Sequence, residues 1–242
     1  MSSDPPTTDA ERGTKKRPPP TRAEDERWER TKANAKTIGG AILLALFIRV
    51  VLFEAFEIDG PSMEPTLLHG DRVVVGKFLY GLFLPGTDEA IFTWGIPAPG
   101  DVVIVHSPAD NIDIVKRVIG VPGDTIEVRD DVVYRNGEAI LVRSGLTCER
   151  DGMTEPDCEW TEERVGEHLY RTSASPLHAP SSERLVTVPD GHIFVLGDHR
   201  DRSNDSRAIG MIPSSRVKGR AMAIYWSNDD HVRWERMFEA LD

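Results

Sequence analysis

Beyond residue 56, the apolar residues of this 242-residue chain come in short runs bounded by glycine, proline, asparagine and aspartate. Such runs, rich in valine and isoleucine, are typical of β-strands. The pair Asn136-Gly137 lies between two of them and predicts a tight hairpin turn. The pattern therefore predicts a mainly β body with strands at residues 72–76, 102–105, 112–119, 125–128, 132–134, 138–142, 193–196 and 219–226.

A longer apolar run at residues 38–53 precedes this body. Extended to residues 37–55, it approaches the roughly 20 residues of a membrane-spanning helix. We expect an uncleaved transmembrane anchor there. A cleaved signal peptide and a buried amphipathic helix are the alternatives, but no small-x-small cleavage site follows the run and no polar stripe divides it.

The distribution of charge predicts the orientation of the anchor. Residues 1–36 carry more lysine and arginine than aspartate and glutamate, and they contain few apolar residues. By the positive-inside rule they form a disordered cytoplasmic tail, and the rest of the chain lies outside the cell membrane as a single-pass protein. The whole chain has a net charge of −11 and residues 1–36 are net basic, so the remaining part is strongly acidic and no nucleic acid partner is expected.

Residues 143–187 are polar and irregular, and they predict an insertion between strands that forms a smaller cap. Both cysteines of the chain, Cys148 and Cys158, lie in this insertion. Outside the cytoplasm they can form a disulfide that closes a small loop, with two unpaired thiols as the alternative. Their spacing is not that of a zinc site, so no metal is expected.

Two aromatic stretches, residues 78–84 and 91–96, are punctuated by glycine and proline. They are explained either by a hairpin in the core or by a surface that enters the lipid interface, where tryptophan and tyrosine are favoured.

The turn Gly60-Pro61-Ser62-Met63 presents a serine a few residues beyond the apolar run. A serine nucleophile requires a base. Histidine is the usual base, but no sequence pattern connects His69 or His199 to Ser62. Lysine is the other candidate.

Lys116 lies in the predicted strand at residues 112–119. Side chains alternate along a strand, so Lys116 shares a face with the apolar Ile112, Ile114 and Val118. An apolar environment favours the neutral amine, which can accept a proton from a hydroxyl.

Arg117 falls on the opposite face of that strand, with Asp113 as a candidate partner. A third polar stretch, residues 197–207, is dense in charged and small polar side chains. A solvated loop is one explanation. A calcium loop does not fit, because glycine and glutamate are missing at the positions where such a loop requires them.

Four motifs occur in a fixed order after the apolar run. They are Pro-Ser-Met-x-Pro-Thr-Leu at 61–67, Gly-Asp-Val-Val-Ile-Val at 100–105, Lys-Arg-Val-Ile-Gly-Val-Pro-Gly-Asp at 116–124, and Gly-Asp-x-Arg-Asp-x-Ser-x-Asp-Ser-Arg at 197–207. Together they resemble bacterial type I signal peptidase (leader peptidase), the serine–lysine dyad family. The resemblance extends from the anchor to about Trp226.

The resemblance implies a role for each matching residue. It makes Ser62 the nucleophile and Lys116 the general base, with the Ser203 hydroxyl holding the lysine amine. It makes Asp205 and Arg207 a pair that braces their loop beside the dyad. Gly60 stands where some members carry a serine that helps to bind the oxyanion, so a Gly60 backbone group or a water is the implied substitute.

The resemblance also implies a fold and an activity. The fold is an antiparallel β catalytic core formed by residues 56–142 and 188–242, with the cap at 143–187 and one preceding transmembrane helix. The activity is that of a membrane-bound serine endopeptidase that removes signal peptides from secreted preproteins after small residues of the Ala-x-Ala type. The substrate binds extended beside the strand around residues 55–58, membrane lipid is the other partner, and no cofactor is required.

Two other classes of protein remain as alternatives. One is a serine–lysine autoprotease of the kind fused to SOS repressors, which is similar in core fold but soluble and joined to a DNA-binding domain. The other is a non-catalytic, membrane-tethered β-domain that binds partners. Such a domain retains its function when Ser62 or Lys116 is replaced.

Overall fold

The computed structural model describes residues 22–83, 86–150, 153–174 and 183–241. In these residues the helices are α1 (Arg22–Phe47) and α2 (Ser206–Ile209), with a π-helical turn at Ile48–Leu52 and short 3₁₀ turns at Lys77–Leu79, Ser214–Arg216 and Trp234–Arg236. The strands are β1 (Phe53–Glu57), β2 (Asp71–Gly76), β3 (Gly81–Leu82), β4 (Phe92–Thr93), β5 (Val102–His106), β6 (Asp113–Gly120), β7 (Thr125–Arg129), β8 (Val132–Arg135), β9 (Glu138–Ala139), β10 (Leu141–Arg150), β11 (Met153–Val165), β12 (His168–Ala174), β13 (Glu183–Thr187), β14 (His192–Leu196), β15 (Ile212–Pro213) and β16 (Val217–Ser227). The mainly β prediction is confirmed, and the predicted strands fall within a few residues of observed ones.

The chain divides into a first unit, Met1–Ala45, and a second unit, Leu46–Asp242. Helix α1 begins inside the expected disordered tail, because residues 22–36 are rich in helix-favouring alanine, lysine, arginine and glutamate, and Lys32 pairs with Glu29 at 2.7 Å. The rest of that tail, residues 1–21, lies outside the described residues. Residues 53–55 of the expected anchor belong to β1. Across the described ranges, no helix is both long and apolar enough to cross a membrane.

The largest sheet has seven strands in the order β1-β2-β16-β5-β6-β14-β15, and each neighbouring pair is antiparallel. The first four residues of strand β5 are all apolar because both faces of the sheet are covered there. Val102 and Ile104 pack into one buried cluster, and Val103 and Val105 pack into another on the opposite face. Burying both faces removes the need for polar alternation, which makes such strands easy to recognise from sequence.

A second sheet, in the order β13-β7-β8-β9, contains the predicted hairpin. Asn136 and Gly137 have φ values of 55° and 83°, as a two-residue hairpin turn requires. Strand β9 is shorter than predicted and ends at Ala139, after which the chain enters β10.

The prediction that residues 143–187 are irregular is wrong. Most of this segment forms the antiparallel sheet β10-β11-β12, and residues 183–187 form β13. We call the β10–β12 sheet the cap. Its strands were not recognised because they carry many charged residues, yet Val165 and Tyr170 are buried in an apolar cluster shared with β7 and β14. Cys148 of the cap is disulfide-bonded, and the side chain of Cys158 lies outside the described residues.

Residues 78–84 and 91–96 contribute to a small hairpin, β3–β4. The core explanation fits some of their side chains, and others are exposed. Tyr80 and Phe83 are buried, whereas Phe92 and Trp94 are 66% and 59% exposed. These stretches therefore present Phe92 and Trp94 to the surface and contribute Tyr80 and Phe83 to the interior.

Candidate active site

Ser62 is held in a compact turn between β1 and β2. The Glu64 N–H donates to the Pro61 carbonyl, and the Leu67 N–H donates to the Met63 carbonyl. Met63 and Leu67 are 1% and 0% exposed, and both pack in the apolar cluster below the seven-stranded sheet. The apolar residues on either side of the turn therefore fix the position of Ser62.

Lys116 reaches Ser62 from β6. The Lys116 Nζ donates to Ser62 Oγ at 3.0 Å and to the Val115 carbonyl at 2.8 Å. The side chain is almost fully buried. Burial lowers the pKa of the amine from 10.5 to about 8, although the charges of Asp205 and Asp198 act to raise it. A hydroxyl and a lysine with a depressed pKa are thus in direct contact, the arrangement required for proton transfer between them.

Asp205 and Arg207 lie together beside the dyad. The Asp205 carboxylate caps α2 and accepts from the Gly197 N–H at 3.0 Å, and it accepts from Arg207 Nε and Nη2 at 2.9 and 2.8 Å. Burial acts to raise the pKa of Asp205, but the hydrogen bonds and charge of Arg207 hold it below its ordinary value. Arg207 also donates to the Arg200 carbonyl, so this pair fixes both ends of the loop at residues 197–207.

Ser203 lies next to the dyad but does not contact the lysine amine in this structure. Its hydroxyl is buried and, within the described residues, forms no well-formed hydrogen bond, although its proximity to Asp205 helps to lower the pKa of that carboxylate. A Cβ added to Gly197 would meet Ser203 Oγ at 2.2 Å and the Ser62 carbonyl at 2.4 Å. Gly197 therefore lets the Ser203 side chain pack closely against the turn at residues 60–67 that carries Ser62, which we call the nucleophile turn.

The two candidate histidines contact the turn through groups other than the serine hydroxyl. The His199 backbone N–H donates to the Ser62 carbonyl at 3.1 Å. The Gly60 N–H donates to His69 Nδ1 at 3.3 Å, and Gly60 has a φ of 93°, a conformation that favours glycine. Both histidines hold the backbone of the turn, and Lys116 is the side chain that contacts the hydroxyl.

The suggested partner of Arg117 was wrong. Arg117 points away from Asp113 and forms a two-pronged ion pair with Asp198, with Nε–Oδ1 and Nη2–Oδ2 distances of 2.9 and 2.8 Å. Asp113 instead pairs with Lys218 and His106, at 2.8 and 2.9 Å. Strand alternation gave the correct face for Arg117, but Asp198 reaches that face from a distant loop.

A cleft of about 210 Å³ opens at the dyad. One wall is formed by residues 56–59 at the end of β1, and the other by residues 112–116 at the start of β6, with Ser62 and Met63 at the base. Strand β1 is the first strand of the sheet, and β14 pairs with β6 only from Arg117 onward. Both walls therefore expose backbone groups that an added extended strand can use. In the part of the chain described, no cluster of three or more His, Cys, Asp or Glu could hold a metal ion.

Sequence reasoning missed several residues that support the site. Asp198 lies in the motif at residues 197–207, which marks its position but does not indicate that it pairs with Arg117. Ser173, Glu163 and Tyr170 come from the cap, where no motif marks them. The Ser173 hydroxyl donates to the Glu64 carbonyl of the nucleophile turn at 3.0 Å.

Comparison with known proteins places this geometry in context. Residues 31–226 match the family model described as signal peptidase, peptidase S26. Signal peptidase I of Pseudomonas aeruginosa is 37% identical over 209 residues, which cover 81% of this chain and 72% of that protein. Signal peptidase I of Bacillus licheniformis is 33% identical over 192 residues, covering 79% of this chain and 86% of that protein.

Among solved structures, a crystal structure of a signal peptidase I from Enterococcus faecalis is 30% identical. The match covers 53% of this chain and 98% of that chain, with a TM-score of 0.32.

Proposed function

The chain belongs to the signal peptidase family, peptidase S26, and is a serine endopeptidase; we propose that it removes signal peptides from secreted preproteins with Ser62 as nucleophile and Lys116 as general base. The observation that carries the dyad is the contact of 3.0 Å between Lys116 Nζ and Ser62 Oγ. A buried amine with a pKa lowered to about 8 is neutral in a substantial fraction of molecules near physiological pH.

In the acylation step, neutral Lys116 accepts the proton of Ser62 as Oγ attacks the scissile carbonyl carbon. The resulting ammonium then donates that proton to the leaving amine, and the C–N bond breaks. In the deacylation step, Lys116 takes a proton from a water that attacks the acyl-enzyme. Ser62 Oγ leaves with a proton returned by the lysine, which restores the starting state.

The developing oxyanion needs hydrogen-bond donors. We assign the Ser62 backbone N–H as one donor. The Gly60 N–H is directed at His69 Nδ1, so it is a poor second donor in this conformation. A water held near Gly60 is the better candidate, because no side chain replaces the serine that some members carry at this position.

We assign the substrate to the cleft between residues 56–59 and 112–116. An extended peptide there forms backbone hydrogen bonds with the free edges of β1 and β6, which supply affinity without regard to sequence. Side chains that point into the cleft meet Phe56, Ile58, Ile104 and Ile114. The small volume between these groups favours alanine-sized residues at the first and third positions before the cut.

The family is membrane-associated, and we propose that residues 37–55 tether this enzyme with residues 1–36 in the cytoplasm and the β body outside. The side chains of Ile38, Ile42, Leu43 and Leu44 are more than half exposed, so this stretch offers an apolar surface to lipid. Exposed Phe92 and Trp94 on the β3–β4 hairpin offer a second one. Protease added to intact spheroplasts is expected to digest the body and spare residues 1–36, and the opposite pattern would reverse the topology.

The activity is tested with the detergent-solubilised full chain and a preprotein whose signal peptide ends in Ala-x-Ala. Cleavage after the last alanine is expected, with mature protein as the product. The matched control is the same preprotein with phenylalanine in place of that alanine, which should remain uncut. Uncut Ala-x-Ala substrate, or cleavage retained by Ser62→Ala, would contradict the proposal.

A further inference from the structure

The cap is joined to the catalytic loops by backbone hydrogen bonds at Ser173 of β12. The Ser173 N–H donates to the Asp198 carbonyl at 2.9 Å, and the Arg200 N–H donates to the Ser173 carbonyl at 2.8 Å. Together with the bond from Ser173 Oγ to the Glu64 carbonyl, these contacts tie the cap to both the nucleophile turn and the loop at 197–207. The cap is therefore in direct contact with the catalytic loops.

Behind these contacts lies a set of four charged side chains, which we call the four-charge cluster. It consists of Arg117, Asp198, Arg200 and Glu163, each at most 8% exposed. Arg117 pairs with Asp198, and Arg200 pairs with Glu163 of the cap. Tyr170 of the cap joins the two pairs, since its hydroxyl donates to Glu163 at 3.0 Å and the Arg117 guanidinium lies 3.9 Å from its ring centre.

The cluster is neutral only when the cap is counted. The core supplies two cations and one anion, and Glu163 supplies the second anion. Buried charges are costly unless each is matched, and a net charge left in this position acts on other buried groups at a distance. Lys116 is such a group, since it occupies the opposite face of the same strand and Asp198 acts to raise its pKa.

We propose that Glu163, with Tyr170, is a positioning residue for catalysis: the cap completes the charge balance behind the dyad and so keeps Lys116 in its working protonation range. This inference rests on the proposed Ser62/Lys116 mechanism. The other groups that face Lys116 are Ser62 from the nucleophile turn and Asp205, whose charge is matched by Arg207. Glu163 is the member of the four-charge cluster that comes from the cap, where it pairs with Arg200.

The test is the pH dependence of kcat/KM for the full chain in detergent, with the preprotein substrate. Glu163→Gln leaves the cluster with an excess positive charge, which disfavours the protonated amine. The rise of kcat/KM with increasing pH should therefore occur at lower pH, shifted by an amount on the order of half a pH unit. Arg200→Gln leaves excess negative charge and should move the rise to higher pH. The double variant restores neutrality and should return the rise close to its original position.

The matched control is Glu162→Gln, which removes the same charge from the adjacent residue of β11. Glu162 faces Arg143 and Arg171, at 3.8 Å from each. Its replacement should leave the position of the rise unchanged. An equal shift in Glu162→Gln would show a general charge effect and overturn the proposal.

A purely structural role for Glu163 predicts a different result. In that case Glu163→Gln would lower kcat/KM by the same factor at every pH, or would lower the melting temperature, and the pH at which kcat/KM rises would stay the same. Either result with an unmoved pH profile overturns the proposal. If Glu163→Gln does not fold, the double variant with Arg200→Gln decides, because a matched pair can be replaced without leaving a buried charge. A shift in the pH at which kcat/KM of this double variant rises would contradict the proposal. If the unaltered enzyme shows no cleavage at all, the proposed function fails instead.

Discussion

The two faces of β6 bury neighbouring basic side chains in opposite electrostatic environments. Lys116 and Arg117 are 3% and 1% exposed. Within the described residues, no carboxylate lies within ion-pair distance of the Lys116 amine, and burial lowers its pKa to about 8. Burial also acts to lower the pKa of Arg117, but Asp198 in direct contact raises it above its ordinary value.

The difference shows that burial alone does not decide what a basic residue does. Arg117 carries a guanidinium, which stays charged in proteins, and the carboxylate at hydrogen-bond distance makes it a structural tie. Lys116 feels carboxylates only at longer range, so it can lose its proton and act as a base. In the proposed mechanism, two adjacent residues of one strand therefore serve chemistry and stability separately, and each half of this comparison can be tested by substitution.

The largest effect is expected from removing the base. Lys116→Ala should lower kcat/KM by at least about 10³-fold, and Ser62→Ala should lower it equally. Because the two residues act as a unit, the double variant should be no worse than either single one. Both variants should keep a melting temperature close to that of the unaltered protein.

The matched control for this prediction is Lys218→Ala. Lys218 of β16 pairs with Asp113 of β6. Removing the Lys218 side chain should leave turnover nearly unchanged. Wild-type activity in Lys116→Ala would show that Lys116 is not the general base.

On the arginine face, the expected effect is on stability. Asp198→Asn leaves the Arg117 charge buried and unmatched, which should reduce the free energy of unfolding by about 3–5 kcal/mol. Denaturant titration of the detergent-solubilised protein measures the loss.

Asp113→Asn serves as the comparison, because Asp113 is the carboxylate that strand alternation suggested for Arg117. The Asp113 carboxylate is itself partly exposed, so its replacement should cost about 1 kcal/mol or less. Equal losses of unfolding free energy in Asp198→Asn and Asp113→Asn would mean that the buried ion pair of Arg117 stabilises the fold no more than a partly exposed one does.

The pH dependence sharpens the comparison further. Since only the neutral amine is competent, kcat/KM should rise about tenfold per unit of pH below the lysine pKa and level off above about 8. A profile that is flat from acid to alkaline conditions would rule out Lys116 as the base.

The same pKa has a consequence for stability. Between about 8 and 10.5, the native amine is neutral while the unfolded one still holds its proton. The unfolded state then binds more protons, so the contribution of Lys116 to the free energy of unfolding rises with pH across this window. Lys116→Met should lack that slope in denaturant titrations at pH 8 and pH 10.

The sequence predicted the lysine face well and the arginine face poorly, for a physical reason. Lys116 was recognised from local information, since strand alternation alone places it among apolar residues. The partner of Arg117 lies 81 positions away in sequence, and no periodicity reports such a contact. The motif around Asp198 marked the residue as important without saying what it touches.

The cap illustrates the same limit at the level of the fold. Strands such as β5 are apolar on both faces, and they were predicted almost to the residue. Strands β10–β12 are rich in charged residues, and one of them, Glu163, is buried, which hides the alternation of a half-buried strand. Glu163 is matched by Arg200 of the core, and this pair exists only once the chain has folded.

The smallest effect is expected from Ser203, whose hydroxyl lies beside the dyad without contacting the lysine amine in this structure. If Ser203 holds Lys116 only during the reaction, Ser203→Ala should lower kcat/KM by about 1 kcal/mol, roughly fivefold, without changing stability. Ser214→Ala is the matched control, because Ser214 Oγ is another buried hydroxyl that lacks a partner among the described residues. A loss of kcat with an unchanged KM in Ser203→Ala alone would assign its hydroxyl to the lysine amine. Equal behaviour of the two variants would mean that Ser203 only fills the space above Gly197, and that the lysine face needs no hydrogen bond beyond those to Ser62 and Val115.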